Sequence, residues 1–255
     1  MVRSLRKIRT ADTEAAVVPQ EYTIRVVGAA AGELFTLFSL MHAISGNDVK
    51  SIPVCLLTFA LVLLPSLAER IFRCHMRTEV YLLCILYVLC SMAGDAYQMY
   101  DRVQLWDKLL HTTGGVLFAM FGAYLPCLLN KKDKAVVLLC AVFAVCFSVT
   151  ISALWEFYEF GVDRLIGLDM QRDTLLTAID SRLLSSDLNT VGSISNIESV
   201  TVNGIELAGY IDIGLIDTMT DMLVETLGAL LYAAFYLITK GEYPAFRPAE
   251  TEGLP

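Results

Sequence analysis

The sequence predicts an all-α membrane protein: a bundle of about six transmembrane helices with a small extracytoplasmic loop cap that contains a β-hairpin. Composition is the first reason, because 56% of the 255 residues are hydrophobic and only 18% are charged. Soluble globular domains hold about 45–50% apolar and about 25% charged residues. A disordered chain, a nucleic-acid-binding module and an ordinary cytosolic enzyme are therefore excluded.

Segment length is the second reason. A helix needs roughly 20 residues to cross a hydrocarbon core of about 30 Å, and six apolar segments approach or exceed that length. The second and third of these segments are the shortest. The predicted spans are Ile24–Ile44, Ile52–Leu67, Val80–Tyr97, Leu105–Leu129, Ala135–Tyr158 and Ile213–Ile238.

The distribution of positive charge is the third reason and predicts the orientation. Of the 19 Lys and Arg residues, 13 lie on one side of the predicted spans, and cytoplasmic loops carry such an excess. We therefore expect a multi-pass protein with both termini in the cytoplasm. The predicted organisation is a basic tail (1–23), spans one to five (24–162), an extracytoplasmic loop (163–212), span six (213–239) and a second cytoplasmic tail (240–255).

The long loop carries two local signals. Thr174–Leu188 has a pattern that suits a short amphipathic helix. Ser199–Leu207 has the pattern of a β-hairpin, because Asn203-Gly204 supplies the two residues of positive φ that a type I′ turn requires. We expect the loop to form a small cap.

Ionisable residues gather at the predicted outer ends of the last four spans, where each has an energetic cost. Their spacing of three or four residues places each set on one face of its helix. Three helices that turn such faces inward would form a polar cleft. The sets are Asp107 with His111, Glu156 with Glu159, and Asp217 with Asp221 and Glu225.

So many carboxylates in a low dielectric must share protons, pair with basic side chains or bind a cation. Carboxylate oxygens and one imidazole suit Mg²⁺, Mn²⁺, Ca²⁺ or Zn²⁺, and the lack of sulfur ligands argues against a closed structural zinc site. The candidate metal ligands are Asp107, His111, Glu156, Glu159, Asp217 and Asp221.

Other roles can be assigned to the same region. The candidate catalytic groups are Glu156, Glu159 and His111, with a glutamate as general base. The candidate substrate-binding residues, suited to a phosphate, are Lys108, Arg102, Arg164 and Arg172. Glu225 and Glu33 lie deeper and are candidates for a proton relay, and Glu33 either faces the cleft or pairs with Arg25.

Three functions remain open at this point. The first is a metal-assisted hydrolase or transferase that acts on a lipid or a lipid-linked envelope substrate. The second is a non-enzymatic module that binds a cation or a lipid headgroup, and the third is a cation- or proton-coupled transporter. A lateral groove that leads from lipid to His111 would favour the enzyme. Membrane lipids are the expected partners, nucleic acid is not, and no pattern in the sequence sets an oligomeric state.

Several of these strings resemble a known family. Asp107–Gly115, Trp155–Glu159, Asp217–Asp221 and Gly228 resemble the YjdF-type bacterial inner-membrane proteins, and Met170-Gln171 in the loop extends the likeness. The Asp-Lys-x-x-His helix start and the later acidic helix resemble, more loosely, VanZ-like proteins of the cell envelope. The resemblance implies a protein of the bacterial plasma (inner) membrane.

Overall fold

A computed structural model describes residues 2–129, 136–187 and 189–248. The chain forms two compact units. The first unit consists of the chain up to Val149 together with the chain from Glu225 onward, and the second unit is Thr150–Val224. Two long helices continue from one unit into the other.

Eight α-helices make up most of the described chain. They are α1 (Val2–Ser45), α2 (Ser51–Val62), α3 (Leu64–Phe72), α4 (Thr78–Ala96), α5 (Met99–Arg102), α6 (Trp106–Leu129), α7 (Val137–Ile166) and α8 (Leu215–Ile238).

Six helical stretches are long and apolar enough to cross a membrane, which confirms the predicted fold class. The second stretch, Ser51–Phe72, comprises α2 and α3 and extends beyond the predicted Leu67. The chain bends between these helices, where Leu63 caps both and Pro65 lies in the first turn of α3. Helix α7 likewise continues past the predicted end of the fifth span, to Ile166.

In the first unit, α1, α2 and α4 pack against one another, and α4 also packs against α6. The opposite faces of these helices expose large apolar side chains, such as Leu34, Phe38 and Leu57. Helices that are apolar on both their packed and their exposed faces are typical of membrane spans.

A second core of the first unit is built largely from small residues. Ala119 and Ala123 of α6 pack with Ala144 of α7 and with Ala229 and Ala233 of α8. Small side chains let helix backbones approach closely, and this packing is common between membrane helices.

A short ladder at the α3–α4 turn was not predicted. Strand β1 (Cys74–Met76) pairs antiparallel with β8 (Phe246–Pro248), so that Met76 lies opposite Phe246. Phe246 is buried in a core with Tyr81 and Tyr124. The segment after α8 is thereby held on the first unit. The rest of the predicted second tail, 249–255, lies outside the described residues.

The second unit contains three antiparallel two-stranded ladders. Its strands are β2 (Leu175–Leu176), β3 (Ile179–Ser181), β4 (Gly192–Ile194), β5 (Val200–Val202), β6 (Ile205–Leu207) and β7 (Tyr210–Ile211), which pair as β2–β7, β3–β4 and β5–β6.

The β5–β6 ladder confirms the predicted hairpin, because Asn203 and Gly204 both have positive φ, 50° and 88°. The predicted helix over Thr174–Leu188 is wrong. That stretch forms β2, β3 and one 3₁₀ turn at Arg182–Leu184, and Leu188 itself lies outside the described residues. Strand β2 pairs with β7 and β3 pairs with β4, and these ladders provide backbone hydrogen bonds that a helix would otherwise supply. The segment with the amphipathic pattern therefore forms strands.

Candidate functional site

The first turns of α6 place three ionisable side chains together. Asp107 and His111 are one helical turn apart, and His111 Nε2 lies 3.6 Å from Asp107 Oδ1. Lys108 Nζ contacts the other carboxylate oxygen of Asp107 at 3.0 Å. The predicted pairing of Asp107 with His111 on one helix face is therefore present in the structure.

Glu225 of α8 completes this group, because its Oε2 lies 3.5 Å from His111 Nδ1. Only 9% of His111 and 3% of Glu225 is exposed. Two glycines permit the close approach of α6 and α8. A Cβ on Gly115 would lie 2.0 Å from the Glu225 carbonyl oxygen, and one on Gly228 would lie 2.2 Å from that of Thr112. We call Asp107, His111 and Glu225 the His111 cluster.

The His111 cluster is incompletely hydrogen-bonded. Among the residues that the structure describes, Glu225 Oε1 is buried and has no hydrogen-bond partner. Buried polar atoms almost always have a partner, and an ionised carboxylate is costly to bury without one. Tyr87 lies nearby, since the Asp107 and Glu225 carboxylates act electrostatically on its hydroxyl.

A different polar arrangement lies within the second unit, around Gln171. Its Nε2 donates to Thr218 Oγ1 at 2.6 Å and to Glu156 Oε2 at 3.4 Å. Gly214 accommodates this side chain, because a Cβ there would lie 2.6 Å from Gln171 Cβ, and its φ of +78° also favours glycine. Helical periodicity missed Gln171 because the residue lies in a loop, and only the family resemblance included it.

Two carboxylates hold the loop backbone around Gln171. Asp163 accepts hydrogen bonds from the backbone N–H groups of Met170 at 2.7 Å and Gln171 at 2.9 Å. Asp217, a predicted metal ligand, accepts one from the N–H of Arg172 at 3.1 Å. Both carboxylates therefore position the loop.

Three other predicted site residues have contacts of their own. Glu159 is buried and accepts a hydrogen bond from Trp155 Nε1 at 2.8 Å. Arg164 is exposed and its guanidinium lies over the Phe160 ring. Arg102 is exposed on α5, and its guanidinium donates to the side chain of Gln98 at 3.5 Å.

Asp221 and Glu33 are two further carboxylates among the predicted site residues. Asp221 is 1% exposed and precedes Glu225 by four residues on α8, so both lie on one face of that helix. Glu33 of α1 buries its Oε2, which has no hydrogen-bond partner in the described part of the chain. The ion pair of Arg25 is with Glu69, so the expectation that Glu33 pairs with Arg25 is not met.

Comparison with known proteins identifies one family. No curated protein and no solved structure matches the chain. The likeness to YjdF-type and VanZ-like proteins stays a prediction. The family model described as predicted membrane protein (DUF2238) matches residues 29–242, a range that includes every predicted site residue. This match covers most of the sequence, and the chain belongs to the DUF2238 family of predicted membrane proteins.

Proposed function

We propose that this membrane protein binds a divalent cation through Asp107 and His111, that Glu225 orients His111, and that Asp221, expected from the sequence to be a ligand, stays a candidate. The observation that carries the proposal is the position of the His111 imidazole between two carboxylates. Its Nε2 faces the Asp107 carboxylate and its Nδ1 faces the Glu225 carboxylate.

A histidine that binds a metal through one ring nitrogen commonly donates the other N–H to a carboxylate. In the proposed site, Nδ1–H donates to Glu225 Oε2 and Nε2 binds the ion. Charge-assisted N–H···O hydrogen bonds measure about 2.7–2.9 Å. The contact from His111 Nδ1 to Glu225 Oε2 is longer, at 3.5 Å, and an ion on Nε2 would make Nδ1–H a stronger donor to this carboxylate.

The donor set favours Mn²⁺ or Zn²⁺. Carboxylate oxygens suit hard cations, whereas an imidazole nitrogen suits Zn²⁺ and other transition metals. Mg²⁺ commonly retains several waters and takes few protein ligands, so a site with an imidazole suits it less.

A cation bound here would polarise a phosphoryl or carbonyl oxygen of a substrate. Lys108, whose ammonium contacts Asp107 at 3.0 Å, stays the candidate contact for an anionic group beside the ion. Glu156 and Glu159 stay candidate general bases, and Arg102, Arg164 and Arg172 stay candidate phosphate contacts. We propose that the substrate is a lipid or a lipid-linked envelope molecule.

We also propose that the protein lies in a bacterial plasma membrane with both termini in the cytoplasm, as the Lys and Arg distribution supports. Reporter fusions at each terminus and within 189–212 test this. Cytoplasmic reporters should be active at both termini and inactive in the loop, and the reverse pattern would contradict the orientation.

Elemental analysis of the purified protein tests the metal site. We expect about one Mn or Zn per chain, and loss of most of it in His111→Ala and in Asp221→Asn. His42→Ala is the matched control, because His42 is exposed and stacks on Tyr97. Equal metal content in folded wild type and His111→Ala would contradict the proposal.

A further inference from the structure

A narrow groove of about 190 Å³ lies between α4 and α6 in the first unit. Each helix lines it with four residues at spacings of three and four, so that one face of each helix forms one wall. On α4 the wall includes Leu83, Leu86 and Tyr87, and on α6 it includes Trp106, Leu109 and Leu110.

The position and shape of the groove indicate what it can hold. Both walls belong to span-length helices, so the surrounding solvent is lipid hydrocarbon. Drug-sized ligands occupy pockets of about 300–1,000 Å³, and this groove is smaller. Its mainly apolar walls suit a segment of one flexible hydrocarbon chain, whereas a polar headgroup would be buried there without enough hydrogen-bond partners. At one end, Trp106 Nε1 donates to the Cys90 carbonyl oxygen at 3.2 Å and joins the two walls.

The groove is lined by the same turns of α6 that carry Asp107 and His111. Tyr87 lines the groove, and its hydroxyl lies 3.0 Å from where a Cβ on Gly114 would be. Leu110, which lines the groove, directly precedes His111 in α6.

A positive charge, that of Lys108, lies in the first turn of α6 near the groove. Lys108 lies between Asp107 of the cluster and Leu109 of the groove wall, and its side chain is 25% exposed. An ammonium group at this position complements a lipid phosphate. Apolar walls with a cation at the adjoining helix start are the features that a phospholipid would use.

We propose that the α4–α6 groove binds one acyl chain of a membrane phospholipid and thereby places its phosphate at Lys108 and the His111 cluster. The acyl-chain site stands on the groove alone, whereas the placement of the phosphate rests on the proposed cation site. The inference names a phospholipid as the substrate or ligand class of that site.

Photo-crosslinking tests the groove. The full chain is reconstituted in nanodiscs with a phosphatidylglycerol that carries a diazirine in one acyl chain, and labelled peptides are mapped by mass spectrometry. Labelling should concentrate on 83–90 and 109–113 and should fall when unlabelled phosphatidylglycerol is added in excess. Labelling of all exposed apolar positions in proportion to their exposure would overturn the proposal.

A blocking variant and a matched control sharpen the result. Leu86→Trp fills the groove and should lower its labelling about tenfold, which corresponds to about 1.4 kcal/mol of binding free energy. Leu57→Trp places the same side chain on α2, where Leu57 is 57% exposed against 55% for Leu86, and should leave the labelling unchanged. Equal labelling of the two variants, or retention of a polyprenyl lipid in place of phospholipid, would overturn the proposal.

Metal content measured on the same samples separates this inference from the proposed function. Groove labelling without bound metal supports the acyl-chain site and contradicts the cation site. Bound metal with no specific labelling contradicts the acyl-chain site and leaves the cation site supported.

Discussion

The first unit buries two clusters of ionisable side chains, and they differ in how completely their polar atoms are paired. Around Arg25, which is 7% exposed, the guanidinium donates to Glu69 at 3.0 Å, to Thr78 at 3.1 Å and to the Met76 carbonyl oxygen. Glu69 in turn accepts the Met76 N–H at 2.6 Å. This network fixes the turn between α3 and α4 and needs no external ligand.

The His111 cluster is equally buried but less complete. Imidazole–carboxylate contacts within it measure 3.5 and 3.6 Å, and Glu225 Oε1 has no hydrogen-bond partner among the described residues. In natural proteins, buried polar atoms that lack hydrogen-bond partners occur mainly at functional sites. The comparison therefore indicates a structural role for the Arg25 network and supports the proposed binding role of the His111 cluster.

The largest expected effect on stability comes from removing Arg25. Arg25→Met leaves the Glu69 carboxylate partly buried without its cation, and breaking a buried ion pair in this way costs about 3–5 kcal/mol. Chemical unfolding in detergent measures the loss, with exposed Arg70→Met as the control. A difference between the two variants below about 1 kcal/mol, the range of exposed pairs, would contradict a structural role for the Arg25 network.

A smaller loss is expected from Gly115→Ala, which tests whether the backbone approach of α6 and α8 holds the His111 cluster together. The added Cβ meets the Glu225 carbonyl oxygen, and such overpacking typically costs about 1–3 kcal/mol. The variant should also lose affinity for metal.

Gly161→Ala is its control, because no atom lies within 4 Å of a Cβ added at Gly161 on α7. It should be neutral or stabilise the helix by up to about 1 kcal/mol. If Gly115→Ala matched it in unfolding, the close helix contact would not be needed.

Asp212 provides a fully hydrogen-bonded carboxylate outside the spans. Although burial acts to raise its pKa, backbone hydrogen bonds from Thr174, Ile216 and Gly214 lower it below the usual value. Its stabilising effect is therefore present above the ordinary pKa of about 3.9 and is lost as pH falls through the lowered pKa.

Asp212→Ala removes the acceptor for these backbone N–H groups. It should lower the local stability of the segments around Thr174 and Ile216 by roughly 1 kcal/mol at pH 7, which is the usual net contribution of a hydrogen bond. Hydrogen exchange of the Thr174 and Ile216 amides measures it. The difference from wild type should shrink in acid, and a difference that grew in acid would contradict the assignment.

The smallest effect on stability is expected from Glu225→Gln. This substitution removes a charge from a span position where one carboxylate oxygen has no hydrogen-bond partner in the described chain, so the free energy of unfolding should stay equal or rise slightly. Metal affinity should fall about 10–100-fold, as it does when a carboxylate that orients a metal-binding histidine is lost. A large destabilisation with unchanged metal affinity would give Glu225 the structural role assigned to Arg25.

Composition and segment length predicted the six spans, because lipid-facing helices must be apolar along their whole length. Helical spacing also predicted that Asp107 and His111 share a face. It could not predict that Glu225, 114 residues later, would contact His111 while Glu69 pairs with Arg25, since those contacts depend on how helices pack. The helix expected at Thr174–Leu188 failed for a related reason, because strand partners β7 and β4 override local preference.

X-ray absorption spectroscopy of the zinc-loaded protein tests the central claim most directly, because it identifies the atoms that bind the ion. The account predicts one imidazole nitrogen and carboxylate oxygens at about 2.0–2.2 Å, with the imidazole signal lost in His111→Ala and kept in His42→Ala. A shell of sulfur at about 2.3 Å, or an imidazole signal that survives His111→Ala, would contradict it.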